Sequence, residues 1–420
     1  GNDTITDDQG ANYIDGGEGD DTLSSRSLSG NHTLIGGSGQ DNISGTGETL
    51  YIDGGEGNDN LNIYGYVQNE GVNNYLNSGE AIVLAGGGND NINVDNFTNV
   101  NVSAGEGNDN FNSYNYSQWA STIVFSGDDG NDYGWANHIY NSELSGGSGE
   151  DNLNIEYFVS GTISGGEDGD YLSGRYGGNI SFSGDDGNDT LYSYGNVSSF
   201  LDGGEGDDNL DLYFSSNNFY NYTQIYESFE RNDDNGKLIN QPVSSLEGGE
   251  GNDILNIIGD NTSIWNSFDS YIEASGGDGD DTIKITDNNA GVIGQSGNQS
   301  GFTQAQIDGG SGQDNISVSG VLNASITTGT GSDTVALTAQ QFRTIEEGDR
   351  IRPNWIGWSP DNGDEYGEEI VYKANAVTVT DFTAGKSGDI IDYGDLLRNA
   401  STSYDGANPF AGGFLNIEQS

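Results

Sequence analysis

The chain has 420 residues, 69 of them glycine, and its 67 acidic residues face only 11 Lys and Arg, giving a formal net charge of -56. That charge excludes nucleic acid and anionic lipid surfaces as partners, because both are bound through Lys and Arg, and it makes divalent cations the natural counter-charge. Cysteine is absent, which removes disulfides, iron–sulfur clusters, thiolate zinc sites and cysteine nucleophiles, and no apolar run is long enough to span a membrane as a helix.

An apolar content of 32% alone would suggest disorder, but the apolar residues are periodic. The first residues, Gly1-Asn2-Asp3-Thr4-Ile5, carry no secretory signal. Gly1-Asn2-Asp3 reads as the tail of a repeat, and the chain has no methionine, so an N-terminal portion is expected to precede it.

The repeat is clearest at Gly54-Gly55-Glu56-Gly57-Asn58-Asp59-Asn60-Leu61-Asn62. Full or degenerate copies open at Gly16, Gly36, Gly54, Ala85, Ala104, Gly127, Gly146, Gly165, Gly184, Gly203, Gly248, Gly276, Gly309 and Thr328, fourteen in all, most often 19 residues apart. Two residues after each motif aspartate stands an apolar side chain, as at Leu23, Ile43, Leu61, Ile92 and Phe111, with Gly134 the exception. Two residues before each motif stands another, as at Ile14, Leu34, Ile52, Val83 and Phe125, with Ala274 the weak member. Each glycine turn therefore reverses the chain between two short strands that point apolar residues inward. One coil cannot bury such residues alone, so coils are expected to stack in parallel around a shared narrow core.

The motif resembles GGxGxDxUx, the calcium-binding nonapeptide of RTX proteins, over residues 1 to about 337. The resemblance implies an all-β fold, a right-handed parallel β-roll or β-helix solenoid of about 14 coils, with insertions and a small C-terminal capping region. It also implies calcium held by glycine-turn carbonyls and aspartate carboxylates of adjacent coils. Carried onto this chain, the aspartates are Asp21, Asp41, Asp59, Asp90, Asp109, Asp132, Asp151, Asp170, Asp189, Asp208, Asp253, Asp281, Asp314 and Asp333, with Asp3 in the partial first copy. The turn residues that go with them are Gly16, Gly17, Glu18 and Gly19; Gly36 and Gly39; Gly54 and Gly57; Gly86 and Gly88; Gly105 and Gly107; Gly127 and Gly130; Gly146 and Gly149; Gly165 and Asp168; Gly184 and Gly187; Gly203 and Gly206; Gly248 and Gly251; Gly276 and Gly279; Gly309 and Gly312; and Gly329 and Gly331.

The residue types suit that chemistry. Calcium takes carbonyl and carboxylate oxygens, and glycine turns expose their carbonyls at positive φ. Like charges one coil apart repel by ~1 kcal/mol in water and ~3–4 kcal/mol at an effective dielectric of 20, so a stack of aspartates is expected to need metal to fold. The family's β-roll puts the motif on both turns of a coil. Here it occurs once per coil, and the opposite turns are rich in Ser, Asn, Gly and Tyr, as in Ser24-Ser25-Arg26-Ser27-Leu28-Ser29-Gly30-Asn31. One row of about ten or more calcium ions is therefore expected. Three copies are altered: Asp168 replaces the fourth-position glycine, and Asp128 and Asp185 replace the second, each setting an extra carboxylate near its site.

Long steps mark insertions near 62–83, 211–245, 256–274 and 285–307. The second contains Tyr213, Phe214, Phe219, Tyr220, Tyr222, Tyr226 and Phe229, either an interaction surface or a cover for the solenoid edge. Composition shifts near 338: three of the four prolines and six of the eleven Lys and Arg lie beyond it. The stretch Val377–Leu397, with Asp381-Phe382, Gly385, Gly388-Asp389 and Ile391-Asp392, resembles the segment that closes many RTX proteins, although Tyr393-Gly394 replaces its usual Leu-Ser. The resemblance implies a cap and type I secretion for residues 338–420, hence an extracellular location at a bacterial surface.

No catalytic constellation is present. The only histidines are His32 and His138, no HExxH or GxSxG occurs, and the acidic pairs belong to the motif. The chain is expected not to be an enzyme. It is expected to be a calcium-dependent structural protein of a surface layer or extracellular matrix that self-associates into a lattice or filament, with a cell-surface polysaccharide as a further partner. An adhesin stalk or carbohydrate-binding module, and the C-terminal export module of a toxin or hydrolase, are the alternative readings.

Overall fold

The computed structural model of the protein describes residues 1–27, 30–65, 79–115, 122–196, 198–215, 243–260, 270–287, 302–337, 342–344, 371–373, 376–383 and 387–392. Within these the chain is all-β, with two parallel sheets of 16 strands each and a two-stranded antiparallel pair, Phe342–Thr344 with Val371–Lys373. Gly1–Asn209 forms one compact unit, and the described residues from Leu210 onward belong to a second.

In the first unit strands alternate between the sheets. β1 (Thr4–Asp7) pairs in parallel with β3 (Thr22–Ser25), and β2 (Tyr13–Glu18) with β4 (Asn31–Ser38). Each even-numbered strand enters a motif turn and each odd-numbered one leaves it, so we call the two sheets entering and leaving. The motifs stay in register: Gly17 pairs with Gly37, Gly37 with Gly55, and Gly55 with Gly86. The same alternation recurs in the second unit, where Gly249 pairs with Gly277 and Gly277 with Gly310.

Alternation along each strand fills the core. Both columns flanking the motif are buried, including Leu23, Leu34, Ile43, Ile52, Leu61 and Val83. Gly134 is an exception with a cause: a Cβ there would lie 2.8 Å from Leu153 and 3.1 Å from Phe125, whose ring fills that space and stacks on Phe111 at 4.8 Å. A further pair of inward positions closes each coil at the end away from the motif. Here large residues face small ones: Leu50 packs over Gly45, Ile155 over Gly161, and Ile180 over Gly174. Where both members are small or polar they hydrogen-bond, Ser193 with Ser199 at 2.6 Å and Ser25 with His32 Nδ1 at 3.1 Å. Interiors packed at crystal-like density require such complementarity.

The strands reach further into the expected insertions than the spacing of motifs indicates. Asn60–Gly65 and Glu80–Gly87 bracket the first, Asn209–Ser215 and Val243–Glu250 the second, Ile254–Asp260 and Ser270–Asp278 the third, and Thr282–Asp287 and Phe302–Gly312 the fourth. Every coil needs two full strands to join both sheets, and that shortens what is left to protrude. Of the aromatic cluster, Tyr213 and Phe214 lie on a strand, with Phe214 edge-on to Phe302 at 5.2 Å; the other members lie outside the described residues. Of the region 338–420, Ala376–Val379 and Ile390–Asp392 add one parallel strand to each sheet, on Val321–Thr327 and Thr334–Leu337. Residues 393–420 lie outside the described residues.

Candidate metal centre

The fourteen motif aspartates occupy equivalent places at the start of the leaving strands, and all are buried. Their carboxylates form a ladder. In the first unit the backbone N–H of each aspartate donates to Oδ1 of the aspartate one coil on, from Asp3 to Asp21, Asp21 to Asp41 and so through to Asp208, at 2.6–2.8 Å. In the second unit the same bond runs from Asp253 to Asp281, Asp314 and Asp333 at 2.8–3.0 Å.

The other oxygen is the notable one. Oδ2 of all fourteen, Asp21 through Asp333, is buried and has no hydrogen-bond partner. Buried polar atoms are almost always paired, so fourteen equivalent orphans in register form a row of oxygens that could take a cation. Ten of the orphans lie close to a carbonyl. A Cβ placed on Gly54 would lie 2.6 Å from Asp59 Oδ2 and closer still to the Ala85 carbonyl oxygen. The same pairing of Asp Oδ2 with the next coil's carbonyl bounds the space beside Gly16, Gly36, Gly127, Gly146, Gly165, Gly184, Gly248, Gly276 and Gly309. Carboxylate and carbonyl oxygens are the donor set of a hard cation such as calcium. No group of three or more His, Asp or Glu side chains that could hold a metal occurs among the described residues, so a cation here would draw most of its oxygens from the backbone.

The electrostatics of the row follow from its burial. Burial pushes the carboxyls of Asp59, Asp109, Asp132 and Asp189 up to about 6, those of Asp90, Asp151 and Asp314 up to about 7, and that of Asp170 up to about 8; the accepted N–H pulls each back. Burial raises Asp41, Asp281 and Asp333 as well.

The glycines divide by role. Second- and fourth-position glycines adopt positive φ, such as Gly17 and Gly19, Gly37 and Gly39, and Gly204 and Gly206. At Gly37, φ is 111° and a Cβ would strike the Gly17 carbonyl. The altered copies keep this backbone, with Asp128, Asp168 and Asp185 at φ of 73–75°, a conformation Asp tolerates better than most residues. Their carboxylates do not join the column. Asp128 accepts from Ser103 and Ser126 hydroxyls at 2.6 Å each, and Asp185 accepts from Ser164 and Ser183 at 2.5 and 2.7 Å. Glu18, Asp168 and Asp3 are exposed, and Asp3 joins the ladder through its N–H and not through its carboxylate.

One feature lies beyond the residues singled out from the sequence, and a second gives a place in the column to two that were named only in the closing segment. The fifth motif position forms a second ladder. Oδ1 of Asn58, Asn89 and Asn108 accepts the backbone N–H of Asn89, Asn108 and Asn131 at 2.9–3.0 Å, and Asn188 and Asn252 serve Asp207 and Asp280 in the same way. This ladder donates backwards along the stack, opposite in sense to the aspartate ladder beside it. The recurrence of Asn or Asp before the motif aspartate was its signal. The second feature ends the column. Asp389 Oδ1 accepts the Asp333 N–H at 3.2 Å, but its Oδ2 is satisfied by the Thr383 N–H at 2.6 Å and the Thr328 hydroxyl at 3.3 Å. Asp381 takes the N–H groups of Thr328 and Gly329 at 2.8 and 2.9 Å. Desolvation opposes ionisation of Asp381, and these bonds outweigh it, holding the carboxyl below its usual range.

Comparison of the chain with protein-family models, with curated proteins and with solved structures finds no match in any of the three.

Proposed function

We propose that this chain is a calcium-folded structural protein of the bacterial cell surface, a subunit of a surface layer or extracellular matrix, and a member of the RTX group. The observation that carries the metal reading is the column of fourteen buried, unpartnered aspartate oxygens. When bound, calcium supplies the positive charge that turns repulsion between stacked carboxylates into bridging between coils. The structural role is supported by what surrounds that column: a repetitive acidic solenoid and a sequence without a nucleophile–base pair or a catalytic metal motif. Location outside the cell and export by type I secretion rest on the C-terminal resemblance. Chelator treatment of intact producing cells, followed by electron microscopy of their surface, tests the role. Release or disordering of a coat containing this protein is expected, and an ordered coat that persists without calcium overturns it.

A further inference from the structure

We propose that the outer face of the leaving sheet in the first unit docks an uncharged polysaccharide. Two outward columns run along that face. One passes from Thr4 and Thr22 through Asn60 and Asn91 to Thr190, and the other from Thr6 and Ser24 through Asn62 and Asn93 to Tyr192. Ten strands contribute two positions each; Ser24 and Ser173 are buried, and none of the eighteen others is charged. In a chain that is 19% charged, about three would be expected among them.

The absence of charge selects the ligand. An anionic polymer is repelled by a chain of net charge -56, and a cationic one finds no carboxylate in either column. A neutral polyol is complementary to what is there. The amides form a grid: Asn91 donates to Asn60 at 3.2 Å, Asn93 to Asn62 at 3.2 Å, and Asn62 to Asn60 at 3.0 Å. These bonds fix the amide planes and use only part of their capacity, leaving donors and acceptors for vicinal hydroxyls. Strands are ~4.8 Å apart, comparable to the rise of one sugar unit in an extended glycan, so successive coils meet successive units. Further along the same face the amides give way to aromatic anchors. Trp135 takes the place of Asn62 and Asn93 in its column and packs over Tyr114 at 6.0 Å, offering an apolar body to the C–H face of a sugar. The column next to this face carries Asp95, and also Arg175 and Glu156, which pair at 3.8 Å; the Arg175 guanidinium lies 5.2 Å over the Tyr192 ring and bounds the face at that end.

The inference needs the solenoid but not the surface-coat role, so the two fail separately. The test is calorimetric titration of the full chain at saturating calcium with cellohexaose, chitohexaose and mannohexaose, and with alginate as the anionic probe. Binding of at least one neutral hexaose is expected, insensitive to added salt and weakened about tenfold or more by Trp135→Ala. Asn93→Lys should weaken it too, whereas Val124→Ala, on the entering sheet and 39% exposed, should leave it unchanged. Circular dichroism with calcium verifies that each variant is folded, and a variant that fails to fold is replaced by Asn62→Lys. The proposal is overturned if no neutral hexaose binds, if alginate binds as tightly, or if folded Trp135→Ala and Asn93→Lys retain full affinity. It is equally overturned if those variants abolish self-association in sedimentation while no glycan binds, since the occupant would then be a second copy of the chain.

Discussion

Asp170 accepts the backbone N–H of Asp151 through Oδ1 at 2.7 Å, while its Oδ2 lies buried without a partner. One carboxyl group therefore both joins two coils and brings an ionisable oxygen into the space between them. Asp170→Asn separates the two roles, because the amide keeps the acceptor and removes the charge. With calcium the variant should be less stable than the parent by about 2 kcal/mol. Under chelation near pH 6 the difference should vanish, since the carboxyl, raised to about 8, is protonated there and the amide is neutral as well. Chemical denaturation in both conditions measures the two differences.

Acid should substitute for metal. Eight of the column carboxyls are raised in the folded state to about 6–8, against an ordinary value of 3.8. Groups whose folded pKa is raised bind protons more tightly when folded. Their contribution is therefore fully present below about pH 4 and lost as pH rises through about 6 to 8. The chelated protein should show its β-sheet signal by far-ultraviolet circular dichroism near pH 4 and lose it towards pH 8. With calcium the signal should persist at pH 8, and apparent calcium affinity should fall on acidification as protons compete.

Backbone conformation offers a paired test at the second motif position. Gly37→Ala places a methyl against the Gly17 carbonyl at a φ of 111° and should cost about 3 kcal/mol or more. Asp128→Gly relieves a left-handed non-glycine residue at φ 75° but gives up two serine hydrogen bonds, so its net effect should stay within about 1 kcal/mol. Thermal melting with calcium compares them.

Core complementarity is tested at Gly134. Gly134→Ala meets Leu153 at 2.8 Å and Phe125 at 3.1 Å, and should destabilise by about 1–3 kcal/mol through overpacking. Phe125→Leu leaves a gap on that same side. The double variant should recover part of the loss, a favourable interaction that a double-mutant cycle reads directly.

The residues that carried the fold in the sequence were those whose role repeats without alternatives. Leu23, Ile43 and Leu61 recur because each coil needs an apolar residue at that point, and the motif aspartates recur because no other side chain fills their place. Where the structure allows compensation, the pattern blurs. Ser193 can face Ser199, or Gly174 can face Ile180, so the inward pair away from the motif shows no single residue type along the chain. The fifth-position ladder was obscured for a similar reason: Asn, Asp and Gln stand there in turn, and Gly169 leaves a rung out. Asp128 and Asp185 read as extra carboxylates for a metal, yet a left-handed backbone turns them towards serines on the sheet face, a direction that residue type does not encode. Asp389 could not be matched to the column by spacing, because 56 residues separate it from Asp333.

The aspartate ladder links successive coils throughout each unit, and the fifth-position ladder runs in the opposite sense where Asn or Asp stands, so most coils are alike in what they give and what they receive. A stretch such as 146–164, one 19-residue step, could be excised or duplicated, and the flanking coils would meet the same donors and acceptors as before. The gene can therefore change the number of coils in whole steps by slippage between its own repeats, without inventing a new interface, while a loss of a few residues would break both ladders at once.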